Sequence, residues 1–133
     1  MATTYQPFGQ PTNSDYGKSR GAGKTHWGQD FTAANGTQIP SATAGTVIFS
    51  GYNPSGGLGW CVVVKDANGV GHVYAHMGFA QENNNANSPP DGMPAVGKSI
   101  GVGESLGPVG NTGQVIPLPT DRQPYLGTHL HIA

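Results

Sequence analysis

Trp60-Cys61-Val62-Val63-Val64-Lys65, Asp66-Ala67-Asn68-Gly69 and Val70-Gly71-His72-Val73-Tyr74-Ala75-His76-Met77 form the stretch on which the fold turns. The first six residues are an apolar, β-branched run, shorter than a helix and closed by turn residues, so they read as a buried strand. The next four contain Gly69, which takes the positive φ that tight hairpin loops demand. The returning segment alternates, placing His72, Tyr74 and His76 on one face and Val73, Ala75 and Met77 on the other. An antiparallel hairpin follows, with one face for packing and one equipped for chemistry.

Outward from this hairpin, no segment offers ten residues of helical periodicity free of Gly and Pro. The predicted fold class is all-β and mainly antiparallel. Thr46-Val47-Ile48-Phe49 reads as a strand entered from the Ala44-Gly45 turn. Thr128-His129-Leu130-His131-Ile132-Ala133 alternates and reads as another. Val96 to Gly113 sets Gly every few residues among Val, Ile and Leu, which predicts short strands joined by tight turns. Gln81 to Gly92 and Gln114 to Gly127, rich in Asn and Pro, read as two long surface loops, and the first is expected to border a site.

Composition narrows the function. The 133 residues fit a single domain spanning 1–133, which could be one module of a longer protein. Gly (22) and Pro (11) make about a quarter of the chain, but without any period, so neither a fibrous nor a low-complexity reading holds. Charged residues are only 10% and the net charge is -1, which argues against nucleic acid and anionic lipid as partners. The longest strongly apolar run, Trp60 to Val64, is far below the roughly 20 residues needed to cross a bilayer, so no membrane role is expected. Met1-Ala2-Thr3-Thr4-Tyr5-Gln6 has neither the basic start nor the apolar stretch of a secretory signal. The lone Cys61 permits no intrachain disulfide and reads as a small buried hydrophobe.

The five histidines fall into three groups: His26, then His72 with His76, then His129 with His131. On a strand, residues two apart look into one space with Cα atoms ~6.6 Å apart, from a rise of ~3.3 Å per residue. In His26-Trp27-Gly28-Gln29-Asp30 an imidazole and a carboxylate lie four residues apart. Fully extended backbone would separate them too far to share one ion, so the chain must bend, and Gly28 makes the bend inexpensive. His26, Asp30 and one of His129 or His131 then supply three N/O ligands, the number expected of a catalytic zinc with an open fourth position. The remaining histidine of that pair, together with His76, is suited to accept a proton or to stabilise an oxyanion. Gly21-Ala22-Gly23-Lys24-Thr25 imitates the end of a phosphate-binding loop, but Lys18 stands where the pattern needs its first Gly, and a nucleotide is not expected.

His26-x-x-x-Asp30, Tyr74-Ala75-His76-Met77 and His129-Leu130-His131, in that order, resemble the lysostaphin-type (LytM-like) zinc metallopeptidases that cut peptide bonds in bacterial cell walls. Gly36-Thr37-x-Ile39, Ala44-Gly45-Thr46-Val47 and Val109-Gly110-Asn111-Thr112-Gly113 extend the likeness across nearly the whole chain from about Tyr16. The resemblance implies a compact antiparallel β-sheet with a groove bordered by long loops. It puts the zinc ligands at His26, Asp30 and His131 and the non-ligand catalytic histidines at His76 and His129. His72 and Tyr74 become candidate substrate contacts, against the plainer readings of an exposed strand residue and of packing at a strand edge.

The implied function is zinc-dependent endopeptidase action on peptidoglycan peptides, by a monomer working at the cell wall. Without a signal at its start, the chain is expected to be a phage lysin module, held in the host cytoplasm before lysis or carried on the virion, with a bacterial secreted enzyme whose export signal was trimmed as the alternative source. The competing expectation is a non-catalytic LytM-like module that binds peptidoglycan or regulates a wall hydrolase. Such modules are marked by lost metal ligands, and all three are kept here.

Overall fold

The computed structural model describes residues 10–11, 29–32, 36–53, 58–83, 85, 87–113 and 130–132, with the backbone alone for 10–11, 29–32 and 130–132. Nine strands are found among them: β1 (Gln10–Pro11), β2 (Gln29–Thr32), β3 (Gln38–Pro40), β4 (Gly45–Asn53), β5 (Gly59–Lys65), β6 (Gly71–Met77), β7 (Ser99–Ile100), β8 (Ser105–Pro108) and β9 (Leu130–Ile132). A seven-stranded sheet runs β1-β2-β9-β6-β5-β4-β7, and β3 pairs with β8 in a separate two-stranded sheet. Every pairing is antiparallel, and no helix occurs among the described residues. The all-β, antiparallel expectation holds.

The β5–β6 hairpin forms where the sequence puts it. Gly69, at φ 82, donates its N–H to the Asp66 carbonyl at 3.0 Å, and Asp66 N–H donates to the Val70 carbonyl at 2.9 Å. Asp66 Oδ1 accepts from the amides of Asn68 (2.9 Å) and Val70 (3.0 Å), while Oδ2 lies 2.9 Å from His72 Nε2. The hydrogen bond from His72, followed by those from the turn amides, holds the Asp66 carboxyl below its usual range. A lowered folded-state pKa stabilises the fold above the unfolded value of about 3.9, and that gain disappears as pH falls through the folded value. Asp66→Asn, which keeps an acceptor but loses the charge, is therefore expected to melt below the wild type at neutral pH. In melts stepped toward acid the gap should close. A constant gap would show that the charge on Asp66 is irrelevant to stability.

The core lies between the two sheets. Ile39 of β3 and Leu106 of β8 pack with Val47, Trp60, Val62, Val64, Tyr74, Met77, Ile100 and Val109. Val62, Val64, Tyr74, Met77, Ile39 and Leu106 are fully buried. Each aliphatic side chain so placed contributes about 1.5–3 kcal/mol relative to exposure. Tyr74 spans this core: its hydroxyl accepts the Ala42 N–H at 2.9 Å, and burial pushes the phenol upward.

One expectation about β6 needs correction. The β5–β6 register pairs Val64 with His72 and Val62 with Tyr74, but next pairs Trp60 with Met77, so Ala75 and His76 both stand opposite Cys61. This is a β-bulge, which adds a residue to one strand and breaks the alternation. Met77 consequently joins Tyr74 in the core, and His76 falls out of phase with His72 and Tyr74. The predicted single face carrying all three does not exist. Periodicity assumes an uninterrupted ladder, and this one is interrupted opposite Cys61.

The Asn-rich connection after β6 is irregular, as expected, but internally braced. Asn83 Oδ1 accepts the Phe79 N–H at 2.8 Å, Asn83 Nδ2 donates to the Ser88 carbonyl at 2.9 Å, and Trp60 Nε1 donates to the Asn83 carbonyl at 3.0 Å. Farther on, Pro89 to Val96 line an open cavity of about 380 Å³ with Ser50 and Trp60. Ser50 pairs with Val62, so this end of the connection lies by the core face of β4–β5.

Candidate active site

β9 is inserted between β2 and β6, and its register sets up the site. Asp30 of β2 pairs with His131 of β9, and His131 pairs in turn with Ala75 of β6, next to His76. Directly opposed positions on antiparallel strands are the nearest side-chain neighbours a sheet provides, with Cβ atoms about 4.5–5.5 Å apart. One oxygen-donor and one nitrogen-donor residue thus share a pair position, and that is the donor chemistry zinc takes. In the adjacent row the register runs Gln29–Ile132–Tyr74–Val62, of which Tyr74 and Val62 belong to the core. Among the described residues no three His, Cys, Asp or Glu side chains gather into a metal-holding group. His26 and His129 lie outside the described residues.

His76 is held in an unusual conformation. Its φ is 62, the only positive value at a non-glycine among the described residues. That left-handed conformation costs an L-residue roughly 1–2 kcal/mol, and buried contacts must offset it. The His76 N–H donates to the Leu58 carbonyl at 2.8 Å, and the imidazole, 6% exposed, places Nδ1 2.8 Å from the Thr112 carbonyl. A carbonyl oxygen can only accept, so Nδ1 carries the proton. In the neutral ring the lone pair then belongs to Nε2.

Thr112 belongs to a segment pressed against the end of β6. Val109 bridges to Met77, Gly78 N–H donates to the Pro108 carbonyl (3.1 Å), Asn111 N–H donates to the Gly78 carbonyl (3.0 Å), and Asn111 Oδ1 accepts from Ala80 N–H (2.9 Å). The approach is possible because Gly59 and Gly110 have no Cβ: one built on Gly59 would meet Thr112 Oγ1 at 2.5 Å. In the sequence, Val109-Gly110-Asn111-Thr112-Gly113 stands out only as a stretch of family likeness. Its contact with a histidine 36 residues earlier leaves no local signal, although paired glycines around polar residues do mark a close backbone approach.

The remaining candidates separate clearly. Tyr74 is fully buried, with its hydroxyl engaged by the Ala42 amide, and lies on the core face rather than along a groove wall. His72 pairs with Asp66 at the hairpin turn, in the Val64 row. Cys61 is 1% exposed, and burial pushes its thiol up to about 11. At pH 8 that leaves on the order of a hundredfold less thiolate than an exposed cysteine has. Alkylation of native protein should lag that of unfolded protein by at least this factor; equal rates would contradict the burial.

An antiparallel sheet that brings a carboxylate residue and a histidine into register beside a buried, tautomer-fixed histidine has the makings of a metallohydrolase. Residues 24–133 match the model of peptidase family M23. The chain belongs to that family, the lysostaphin-type peptidases its motifs resemble. The DD-carboxypeptidase/endopeptidase Mpg of Neisseria meningitidis serogroup B is 31% identical over 109 residues, which is 81% of this chain and 19% of Mpg. The chain thus spans about a fifth of the length of the curated relatives it matches. The catalytic domain of the prophage-encoded M23 protein EnpA from Enterococcus faecalis, solved as a mutant, superposes with a TM-score of 0.68 at 29% identity, over 97% of this chain and 81% of EnpA's. A zinc containing peptidase from Vibrio cholerae has a TM-score of 0.69 at 19% identity, over 98% of this chain and 34% of its own, and shares the fold.

Proposed function

We propose that this M23 peptidase is a zinc-dependent endopeptidase that hydrolyses peptide bonds of bacterial peptidoglycan. The observation that carries the reading is the Asp30–His131–Ala75 register, which sets an N/O donor pair against the strand that presents His76. His26, Asp30 and His131 are the residues to hold the metal. Zinc held there would supply Lewis acidity, drawing electron density from the scissile carbonyl and making hydrolysis by water feasible near neutral pH. His76, with its Nδ1 proton committed to the Thr112 carbonyl, works through Nε2, which accepts a proton in the neutral ring and returns one when charged. His129 takes the complementary part, so that one histidine moves the proton while the other donates to the developing oxyanion. The chain's low charge suits a weakly charged peptide as substrate. The setting is the bacterial wall, reached by a phage-encoded lysin module after membrane permeabilisation or from the virion.

Digestion of purified walls of several cross-bridge types, with the new termini identified by mass spectrometry, tests this reading. New amino and carboxyl termini within the peptides are expected, and a chelator should prevent them. Zinc-loaded protein that binds walls and leaves them uncut would instead establish the binding or regulatory module.

A further inference from the structure

We infer that Thr112 is a positioning residue for His76: its hydroxyl opens the β5–β6 ladder at the bulge and its carbonyl fixes the Nδ1–H tautomer. Trp60 and Met77 are register partners, and it is the Trp60 N–H that Thr112 engages. It donates to Thr112 Oγ1 at 3.0 Å, and the same hydroxyl donates to the Met77 carbonyl. A side-chain hydroxyl thus stands inside the ladder, taking one strand's hydrogen bond and passing it to the other.

Three consequences follow at neighbouring residues. The inserted hydroxyl occupies the place where Trp60 and Met77 would bond directly, next to the point where β6 carries its extra residue. His76 takes its positive φ within that extra length, with its amide turned to the Leu58 carbonyl. The same anchored Thr112 presents its own carbonyl to Nδ1. Backbone distortion and ring tautomer therefore share one origin, which acts on His76 without needing to touch substrate. Gly59 completes the device, since a Cβ there would meet the Thr112 carbonyl carbon and Oγ1, both at 2.5 Å.

The inference rests on the catalytic reading of His76 above, and its test separates the two. Imidazole ¹⁵N shifts, assigned to His76 by comparison with His76→Gln, read the tautomer without substrate at a pH where the ring is neutral. Wild type and Thr112→Ser should both show a protonated Nδ1 and an unprotonated Nε2. Thr112→Val keeps the shape and removes the hydroxyl; it should shift His76 toward the other tautomer and lower kcat about 10–100-fold, a loss typical of orienting partners. KM and zinc content should change by less than about twofold. An Nε2-protonated ring in the wild type overturns the inference, as does a Thr112→Val variant whose tautomer or kcat is unchanged. If Thr112→Val does not fold, the wild-type tautomer and the activity of Thr112→Ser decide, and a tenfold loss in the latter counts against it. A wild type that cuts no wall substrate defeats the catalytic reading alone, because the tautomer result stands independently.

Discussion

Replacement of His131 by Ala is expected to remove zinc and wall hydrolysis together, whereas His76→Ala and His129→Ala should keep the metal and lose turnover. The difference comes from what each residue supplies. His131 shares its register position with Asp30, and with the proposed set of three donors its removal should leave too few to retain the ion. His76 is held by the Thr112 carbonyl and the Leu58 carbonyl, so its loss spares the donor set and removes only a proton-transfer or oxyanion group. Such losses run to about 10²–10⁴-fold, equivalent to about 2.7–5.4 kcal/mol of barrier. Elemental analysis beside a wall-clearing rate measures both effects on one sample. Metal loss in His129→Ala with retention in His131→Ala would exchange their roles. Full activity in both His76→Ala and His129→Ala would remove the two-histidine mechanism while leaving the metal site intact.

The second large effect concerns the backbone. Gly110→Ala should unfold the domain or bring it close to unfolding. A Cβ at Gly110 would lie 1.7 Å from the Gly78 carbonyl oxygen and 2.4 Å from its carbon. Both are backbone atoms, and the same oxygen accepts the Asn111 N–H, so no rotamer relieves the clash. The segment must lift from β6, losing the Asn111 bonds and the Val109–Met77 bridge. A cost on the order of 4 kcal/mol or more is expected, against a total stability of about 5–15 kcal/mol. Gly101→Ala is the control: its Cβ finds only a flexible Glu104 oxygen at 4.0 Å, and a change within about 0.5 kcal/mol is expected. Denaturant midpoints compare the two. Equal midpoints would mean that the close approach at Gly110 does not support the fold.

Much of the sheet could be read locally. The Trp60 to Met77 hairpin announces itself through a β-branched run, an Asp-Ala-Asn-Gly turn and an alternating return, because its determinants lie within 18 residues. The strand at Leu130–Ile132 follows from the same alternation. What the pattern does not reveal depends on distant parts of the chain. The separate β3–β8 sheet requires Ile39 and Leu106 to meet over one core, and neither segment signals the other. Tyr74 reads as packing at a strand edge or as a substrate contact, and its place across the core becomes visible only with the Ala42 amide on its hydroxyl. The bulge at His76 is the sharpest case. A period of two predicts faces only while strands pair without interruption, and a hydroxyl from Thr112 interrupts this one. As for the site, the Asp30–His131 proximity agrees with two motifs that the sequence keeps far apart, while His26 and His129 lie outside the described residues.

The insertion of β9 between β2 and β6 also governs how this protein can come to be folded. The β4–β5–β6 meander can zip up from neighbouring segments soon after they leave the ribosome. β2 cannot join it, because the strand that must lie between them comes about a hundred residues after Asp30, and closing so long a loop makes this a late and slow event. A nascent or clipped chain lacking Leu130–Ile132 would keep the hairpins and have no Asp30–His131 pair. Assembly order thus provides a form of latency: the Asp30–His131 pair arises only in this late docking step, so a chain cut short before β9 carries none of it.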